Sequence, residues 1–190
     1  MRRVIKILLL SAAVALVCAP KDARADAYVS PFVGVNFNNN SGDGRGNYGV
    51  DVGWMGKGIA GLEADIGYAP NFFGGPTAII GGNHILTAMG NLIVGMPVGG
   101  THSAGVRPYF TIGAGLIETR VDGAVIGGVV QKVDTNNVGM DVGGGVMGFV
   151  AEHVGIRGDV RYIINFNDNN NTVQFGSFHF WRASVGVVLR

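Results

Sequence analysis

Apolar and polar residues alternate along DVGWMGKGIAGLEADIGY, residues 51–68. Val52 and Trp54 share one face of an extended chain, and after a Gly-Lys-Gly break a second apolar face is opposed by Glu63 and Asp65. Successive side chains of a β-strand point to opposite faces, so this spacing predicts two strands joined by a tight turn. Alternation by itself does not say which face is buried, because a sheet can place either face against a core.

The same alternation recurs in segments of about ten residues, separated by stretches rich in Gly, Asn, Pro and Ser. It predicts eight strands, near residues 28–37, 46–55, 59–69, 84–96, 105–118, 137–149, 153–165 and 177–190. After residue 25, no apolar run approaches the roughly 18 residues of a membrane helix. Pro31 lies in the first strand, and because proline lacks an N–H we expect incomplete or bulged pairing there.

The predicted connections tend to alternate in length. Those between strands 2 and 3 and between strands 6 and 7 are short, whereas four others are long: 38–46, 70–83, 120–136 and 167–176. The connection 97–104 is of intermediate length and breaks the strict alternation. Long and short connections in alternation are typical of an up-and-down barrel with one end outside the cell and the other in the periplasm.

Composition and charge narrow the class of protein. Only 14% of the 190 residues are charged, 47% are hydrophobic and 33 are glycine, whereas about a quarter of a soluble domain is charged. The formal net charge of +1 gives no field that would attract nucleic acid. We therefore predict no nucleic-acid partner.

The polar faces of the predicted strands carry charges of both signs in nearly equal number. Five are acidic and four are basic: Asp51, Glu63, Asp65, Asp141, Asp159, Arg107, Arg157, Arg161 and Arg182. On a solvent-exposed face the numbers of acidic and basic residues need not match, because water solvates each charge. Buried charges must be paired and hydrogen-bonded. We therefore place these nine residues, called the interior charge network, inside the barrel, and the apolar faces against lipid.

The predicted fold is an all-β, eight-stranded, antiparallel up-and-down transmembrane β-barrel. Eight strands leave an interior just wide enough for side chains to fill, so we assign the interior charge network a structural role, with an ion path as the alternative. Aromatic residues near strand ends are predicted to form girdles at the two membrane interfaces. These are Tyr28, Trp54, Tyr68, Phe72, Phe73, Tyr162, Phe166, Phe178 and Trp181.

The N-terminal segment has the pattern of a secretory signal peptide. Arg2, Arg3 and Lys6 precede the apolar stretch 7–19, and Ala-Arg-Ala at 23–25 fits a cleavage site. We predict a signal peptide over 1–25 and an outer-membrane barrel domain over 26–190. Cys18 is the single cysteine, so the predicted mature chain contains neither a disulfide nor a thiol nucleophile.

Two stretches, DAYVSPFVGVNF at the start of the barrel and RPYFTIGAGL at 107–116, resemble the outer membrane protein β-barrel domain family of Gram-negative bacteria. The resemblance implies a protein of the cell outer membrane whose role lies in its loops or in membrane architecture. The implied partners are outer-membrane lipids, the barrel assembly machinery and a surface ligand bound through loops. Barrels of this family usually end on an aromatic residue, whereas this sequence ends on Arg190.

Candidate chemistry is sparse. His84, His102, His153 and His179 do not have the spacing of metal ligands, so we predict neither a metal site nor a cofactor. The resemblance also implies an alternative, since some small outer-membrane barrels are lipid A-modifying hydrolases that use a His-Ser pair on the lipid-facing surface.

By strand parity His179 points outward and Ser184 inward, whereas Ser177 shares the outward face without an orienting carboxylate. We therefore predict a non-enzymatic barrel. Two alternatives stay open: a narrow channel or transporter for small or hydrophobic solutes, and a membrane-embedded lipid A-modifying hydrolase.

Overall fold

A computed structural model describes residues 25–37, 44–72, 82–99, 105–126, 129–166 and 178–190. The predicted signal peptide up to residue 24 lies outside this range, as do Phe73, His102 and Ser177. Within the described residues, no helix has the length and apolar character needed to cross a membrane.

Eight antiparallel strands form one closed barrel in which each strand pairs with its neighbours in sequence and β8 pairs with β1. The strands are β1 (Ala25–Phe37), β2 (Arg45–Gly56), β3 (Ala60–Pro70), β4 (Asn83–Gly95), β5 (Gly105–Ile126), β6 (Val129–Phe149), β7 (Val154–Phe166) and β8 (His179–Leu189). The predicted fold is confirmed, and most strand boundaries agree with the sequence prediction to within about three residues.

The strands β5 and β6 are longer than their sequence predicts. Residues 120–136 were expected to form a connection because they contain several glycines and aspartates, but most of them continue the ladder as far as the pair Ile126 and Val129. The register shifts between Val121 and Ala124, which marks a β-bulge. A bulge accommodates an irregular residue pattern inside a strand, so the glycines and aspartates here do not end the pairing.

The strands are staggered around the barrel. When the in-register partner is followed from strand to strand, beginning at Val29 of β1, the residue reached on β8 is His179. Val29 itself pairs with Leu189, which lies ten positions further along β8. Ten residues rise about 33 Å along a strand while eight strand spacings span roughly 38 Å, so the strands tilt by about 40°. This tilt is the usual one for a small membrane barrel.

A tight turn joins β2 to β3. Both central residues, Lys57 (φ 51°) and Gly58 (φ 69°), are left-handed, and the Ile59 amide donates to the Gly56 carbonyl at 3.0 Å. Two left-handed residues give the type I′ turn that matches the twist of a hairpin.

Pro31 interrupts the ladder on one side of β1. Its pairing with Val50 of β2 continues without a shift. On the β8 side the pairs run from Val29 with Leu189 directly to Phe32 with Gly186, in the same register. Pairing is therefore incomplete at Pro31, as its missing N–H requires, but there is no bulge.

The barrel wall separates two kinds of side chain. Apolar residues at the outward positions of every strand remain exposed, for example Val33 at 60%, Leu92 at 59% and Val185 at 53%. Inward positions are buried and mostly polar or charged. This arrangement, with apolar side chains outside and polar ones inside, is the reverse of that in a soluble protein. It provides the apolar band that faces lipid.

Three of the predicted girdle aromatics face the interior instead. Tyr28 is only 3% exposed and belongs to an interior cluster, and Phe72 and Phe178 pack against a second interior cluster. An aromatic residue near a strand end occurs on either face, so position along the strand is not sufficient to place it. Trp54, Phe166 and Trp181 do lie on the exposed outer surface.

Candidate functional site

All nine members of the interior charge network are buried, each with 5% or less of its surface exposed. They face the lumen because every second side chain of a strand points inward, and all nine occupy inward positions on β2, β3, β5, β6, β7 or β8. Eight of them form one connected set of ion pairs, called the central cluster: Asp51, Glu63, Asp65, Asp141, Arg157, Asp159, Arg161 and Arg182.

Neighbouring strands place like charges opposite each other in this cluster. Asp51 pairs in register with Asp65 across β2 and β3, and Arg161 pairs with Arg182 across β7 and β8. Like charges directly opposite on a sheet are destabilising. The compensating charges come from across the lumen, since β7 faces β2 and β3 inside the closed barrel.

Arg157 bridges three carboxylates. Its Nη1 lies 2.5 Å from Glu63 Oε2 and 3.2 Å from Asp51 Oδ2, and its Nη2 lies 3.0 Å from Asp159 Oδ2. The guanidinium also lies against two aromatic rings, 4.7 Å from the centre of Tyr109 and 5.9 Å from that of Tyr28. These contacts hold the long side chain in one conformation across the lumen.

Arg161 is the most connected member and is fully buried. Its Nη2 lies 2.7 Å from Glu63 Oε1 and 3.1 Å from Asp159 Oδ2. Its Nη1 lies 3.4 Å from both Asp65 Oδ2 and Asp141 Oδ2. Its Nη2 also lies 3.5 Å from Asp51 Oδ1. One arginine therefore joins carboxylates from β2, β3, β6 and β7.

Arg182 forms a two-pronged pair with Asp65. Its Nη1 donates to Asp65 Oδ1 at 3.1 Å, and its Nη2 donates to Oδ2 of the same carboxylate. The guanidinium lies 4.9 Å from the centre of the Phe32 ring. Bidentate geometry of this kind is the strongest arrangement of an arginine and a carboxylate.

Arg107 lies apart from the central cluster, toward the short-turn end of the barrel. Its Nη1 lies 3.9 Å from Met55 Sδ, and its guanidinium is 5.3 Å from the centre of the Phe149 ring. The structure thus brings together eight of the nine residues selected from the sequence and places the ninth nearer the short-turn end, beside Met55 and Phe149.

Neutral polar side chains complete the cluster. Tyr28 donates to Glu63 Oε2 at 2.5 Å, Tyr109 donates to Asp159 Oδ2 at 3.0 Å, and Ser184 donates to Asp159 Oδ1 at 2.7 Å. With its amide oriented to satisfy both groups, Asn91 donates from Nδ2 to Asp141 Oδ1 at 2.8 Å and accepts at Oδ1 from Arg161 Nη1 at 2.6 Å. The sequence analysis selected only charged residues and so missed these four. All four occupy inward positions, so the alternation of the strands could have identified them.

Inward-facing glycines make room for the arginines. A Cβ atom at Gly67 would lie 2.7 Å from Arg182 Nη1, and one at Gly143 would lie 2.8 Å from Arg161 Cγ. A Cβ atom at Gly145 would lie 2.6 Å from both the Tyr109 hydroxyl and Asp159 Cβ. Part of the high glycine content therefore has a packing cause, because a side chain at Gly67 or Gly143 would collide with that of Arg182 or Arg161.

The geometry of the central cluster favours a structural role over a catalytic or metal-binding one. Buried carboxylates and guanidiniums fill the lumen, and each arginine of the central cluster is held by ion pairs. Within the described residues, no group of three or more His, Cys, Asp or Glu side chains is arranged to hold a metal ion.

Comparison with known proteins identifies the family. The model of the outer membrane protein beta-barrel domain matches residues 7–188. The chain belongs to this family. It is accordingly a protein of the outer membrane. A comparison with curated protein sequences gives no match.

Solved structures of small outer-membrane barrels are similar to this member of the family. Neisserial surface protein A has a TM-score of 0.64 at 18% identity, with 87% of this chain and 97% of that chain covered. The N-terminal β-barrel domain of Pseudomonas aeruginosa OprF has a TM-score of 0.53 at 13% identity, with 87% and 98% covered. Yersinia pestis Ail has a TM-score of 0.51 at 11% identity, with 86% and 99% covered. At these identities the likeness shows the fold.

In this outer membrane protein β-barrel, the two described residues of the hydrolase alternative point in different directions. His179 is exposed on the outer surface beside Tyr162, with ring centres 5.6 Å apart. Ser184 faces inward and donates to Asp159. The barrel wall separates these two side chains, so they do not form a catalytic pair.

Proposed function

We propose that this chain is a non-enzymatic outer-membrane barrel that does not conduct ions and acts at the cell surface through its extracellular connections. The observation that carries the proposal is the filled lumen. Three arginines and five carboxylates cross it, and none is more than 5% exposed. A conducting barrel requires a water-filled path, and small eight-stranded barrels have an interior that side chains can fill.

The surface role is supported by the projecting hairpin of β5 and β6. The last register pair of β6 with β7 is Val138 with Phe166, yet β6 pairs with β5 as far as Val129. Nine residues of β6 therefore extend past β7, roughly 30 Å of strand. This extension is on the end with long connections, which faces outside in outer-membrane barrels.

The charge of the long connections bears on the ligand class. The segments 38–46, 70–83, 120–136 and 167–176 contain three basic and four acidic residues. One structure of Ail holds sucrose octasulfate, a heparin analogue, but a nearly neutral surface does not attract a polyanion. The many Asn, Gly and apolar residues in these segments favour an uncharged partner surface.

Conductance tests the closed barrel directly. Purified full-length protein, folded into planar bilayers, is expected to give no channel events under conditions in which a general porin gives them readily. Regular unitary currents would support the narrow channel instead. Mass spectrometry of lipid A from overexpressing cells is expected to show an unchanged spectrum, and a deacylated product would contradict the non-enzymatic assignment.

Exposure of the hairpin is a second test. An epitope inserted between residues 127 and 128 is expected to be recognised on intact cells. The same epitope inserted in the β2–β3 turn, after Lys57, serves as the periplasmic control and is expected to be recognised only after the outer membrane is permeabilised. Recognition of both or neither on intact cells would contradict the proposed orientation.

A further inference from the structure

Near its short-turn end, the lumen is lined mainly by apolar and aromatic side chains around Arg107. A cluster of buried residues, called the apolar collar, lies on that side of the central cluster: Tyr28, Met55, Ile93, Tyr109, Met147, Phe149 and Val188. Each of these residues is 6% exposed or less, and four of them are 0% exposed. Short turns face the periplasm in outer-membrane barrels, so the collar lies at the periplasmic end.

The collar extends around the whole barrel. Its members come from β1, β2, β4, β5, β6 and β8, and the other two strands have glycines at this level. Gly61 of β3 pairs with Met55 and Ile93, and Gly155 of β7 pairs with Phe149 and Val188. The ring of Phe149 covers Gly155, since a Cβ atom there would lie 2.9 Å from Phe149 Cδ1.

Phe149 is held in the collar by two guanidiniums. The Arg190 guanidinium lies 3.7 Å from the centre of the ring, and that of Arg107 lies 5.3 Å from it. Arg190 is itself fixed, because its Nε donates to the Glu152 carbonyl at 2.7 Å. A ring contacted in this way has little freedom to move out of the lumen.

Within the described residues, fewer strands contribute buried apolar side chains on the extracellular side of the central cluster. An apolar cluster of Ile85, Met89, Ile117, Ile163 and Phe180 covers it from β4, β5, β7 and β8. Beside that cluster, a small, water-sized cavity is lined by residues that include Asn36, Asn47 and Arg182.

Two buried polar atoms at this cavity have no hydrogen-bond partner within the described residues, Arg182 Nε and Asn47 Oδ1. A buried donor and a buried acceptor beside one cavity are the groups that ordered water satisfies. The extracellular cavity therefore has room for about one water molecule beside the central cluster, whereas the collar presents mainly apolar side chains around the Arg107 guanidinium.

We propose that the permeability seal of this barrel is the apolar collar at its periplasmic end, and that the central cluster is hydrated from the extracellular side. An ion that has entered the hydrated region still has to cross an apolar layer, and apolar constrictions block ions by excluding water. This proposal rests on the proposed function, a barrel that does not conduct.

Two matched aromatic truncations test it. Phe149→Ala removes a ring from the collar, and Phe180→Ala removes the same ring from the extracellular apolar cluster. In planar bilayers Phe149→Ala is expected to raise the ionic current at least about tenfold over that of the wild type, because the gap lets water enter the collar. Phe180→Ala is expected to remain closed. Current from Phe180→Ala, or no current from Phe149→Ala, would overturn the proposal.

Folding is checked on the same samples by the difference in gel mobility between unboiled and boiled protein. If Phe149→Ala gives no folded barrel, Met147→Ala, which opens the collar on the same strand, replaces it with the same expected outcome. Conductance of the wild-type protein would contradict the proposed function itself. A closed wild type with closed collar variants would contradict only the location of the seal.

Discussion

Arg161 Nη2 lies 2.7 Å from Glu63 Oε1, although the two residues are 98 positions apart in the chain. They lie on β7 and β3, which are not neighbours in the sheet, so the contact crosses the lumen. A contact of this kind exists only in the closed barrel. It therefore links the stability of the fold to the pairing of charges inside it.

Removal of one buried guanidinium should destabilise the barrel strongly. Arg161→Met leaves Glu63, Asp65 and Asp141 without their shared partner, and breaking a buried pair costs about 3–5 kcal/mol. Urea unfolding in lipid vesicles measures the free energy of unfolding. Val185→Ala, on the lipid-facing surface, is the control and should cost less because no charge loses its partner. Equal stability of Arg161→Met and the wild type would mean that the cluster does not hold the barrel together.

A charge on the outer surface should also be destabilising. Val185 lies in the middle part of β8 with its side chain 53% exposed on the lipid-facing side. Val185→Arg should therefore lower the free energy of unfolding by about 2–4 kcal/mol relative to Val185→Ala. The same vesicle assay measures it. Tolerance of Arg at this position would contradict the placement of the apolar face in lipid.

The inward glycines predict a contrast between two alanine substitutions on one strand. At Gly143 a Cβ atom would lie 2.5 Å from the Val160 carbonyl oxygen and 2.8 Å from Arg161 Cγ, whereas at Gly148 nothing lies within 4 Å. Gly143→Ala should cost about 1–3 kcal/mol through overpacking. Gly148→Ala should be neutral or slightly stabilising. A similar loss at both positions would show that the close contacts at Gly143 with Val160 and Arg161 are not the cause of the loss there.

Removal of the Tyr109 hydroxyl should also lower the free energy of unfolding. It accepts from Arg157 Nε at 2.6 Å and donates to Asp159 Oδ2 at 3.0 Å. Tyr109→Phe leaves a buried donor unsatisfied, which costs about 1–3 kcal/mol. Tyr48→Phe is the matched control, because Tyr48 is 54% exposed on the outer surface, and its free energy of unfolding should be unchanged. If both variants match the wild type, the Tyr109 hydrogen bonds contribute no stability.

The predicted signal peptide fixes the expected N-terminus of the mature protein. Ala23 and Ala25 supply the small residues of a cleavage site, so protein isolated from the outer membrane should begin at Asp26. N-terminal sequencing of that fraction gives the answer, with whole-cell protein made in the presence of a signal-peptidase inhibitor as the uncleaved control. Outer-membrane material that begins at Met1 would show that the segment 1–25 is retained.

The sequence by itself determined the strands and the direction of most side chains. Alternation has a period of two whatever the tertiary structure, so Asp51, Glu63 and Arg161 could be placed on the inward face before any partner was known. The near balance of acidic and basic residues on that face then indicated a closed interior. Position near a strand end was not sufficient for Tyr28, and the glycines and aspartates of 120–136 concealed the extension of β5 and β6.

Only the tertiary structure decided which charges pair. Adjacent strands place Asp51 opposite Asp65 and Arg161 opposite Arg182, so local pairing alone would predict repulsion. Closure of the barrel with a stagger of ten residues brings β7 across the lumen from β3, and Arg161 then reaches Glu63 and Asp65. The apolar collar arises in the same way, because its residues are scattered along the chain and meet only when the strand ends come together at one end of the barrel.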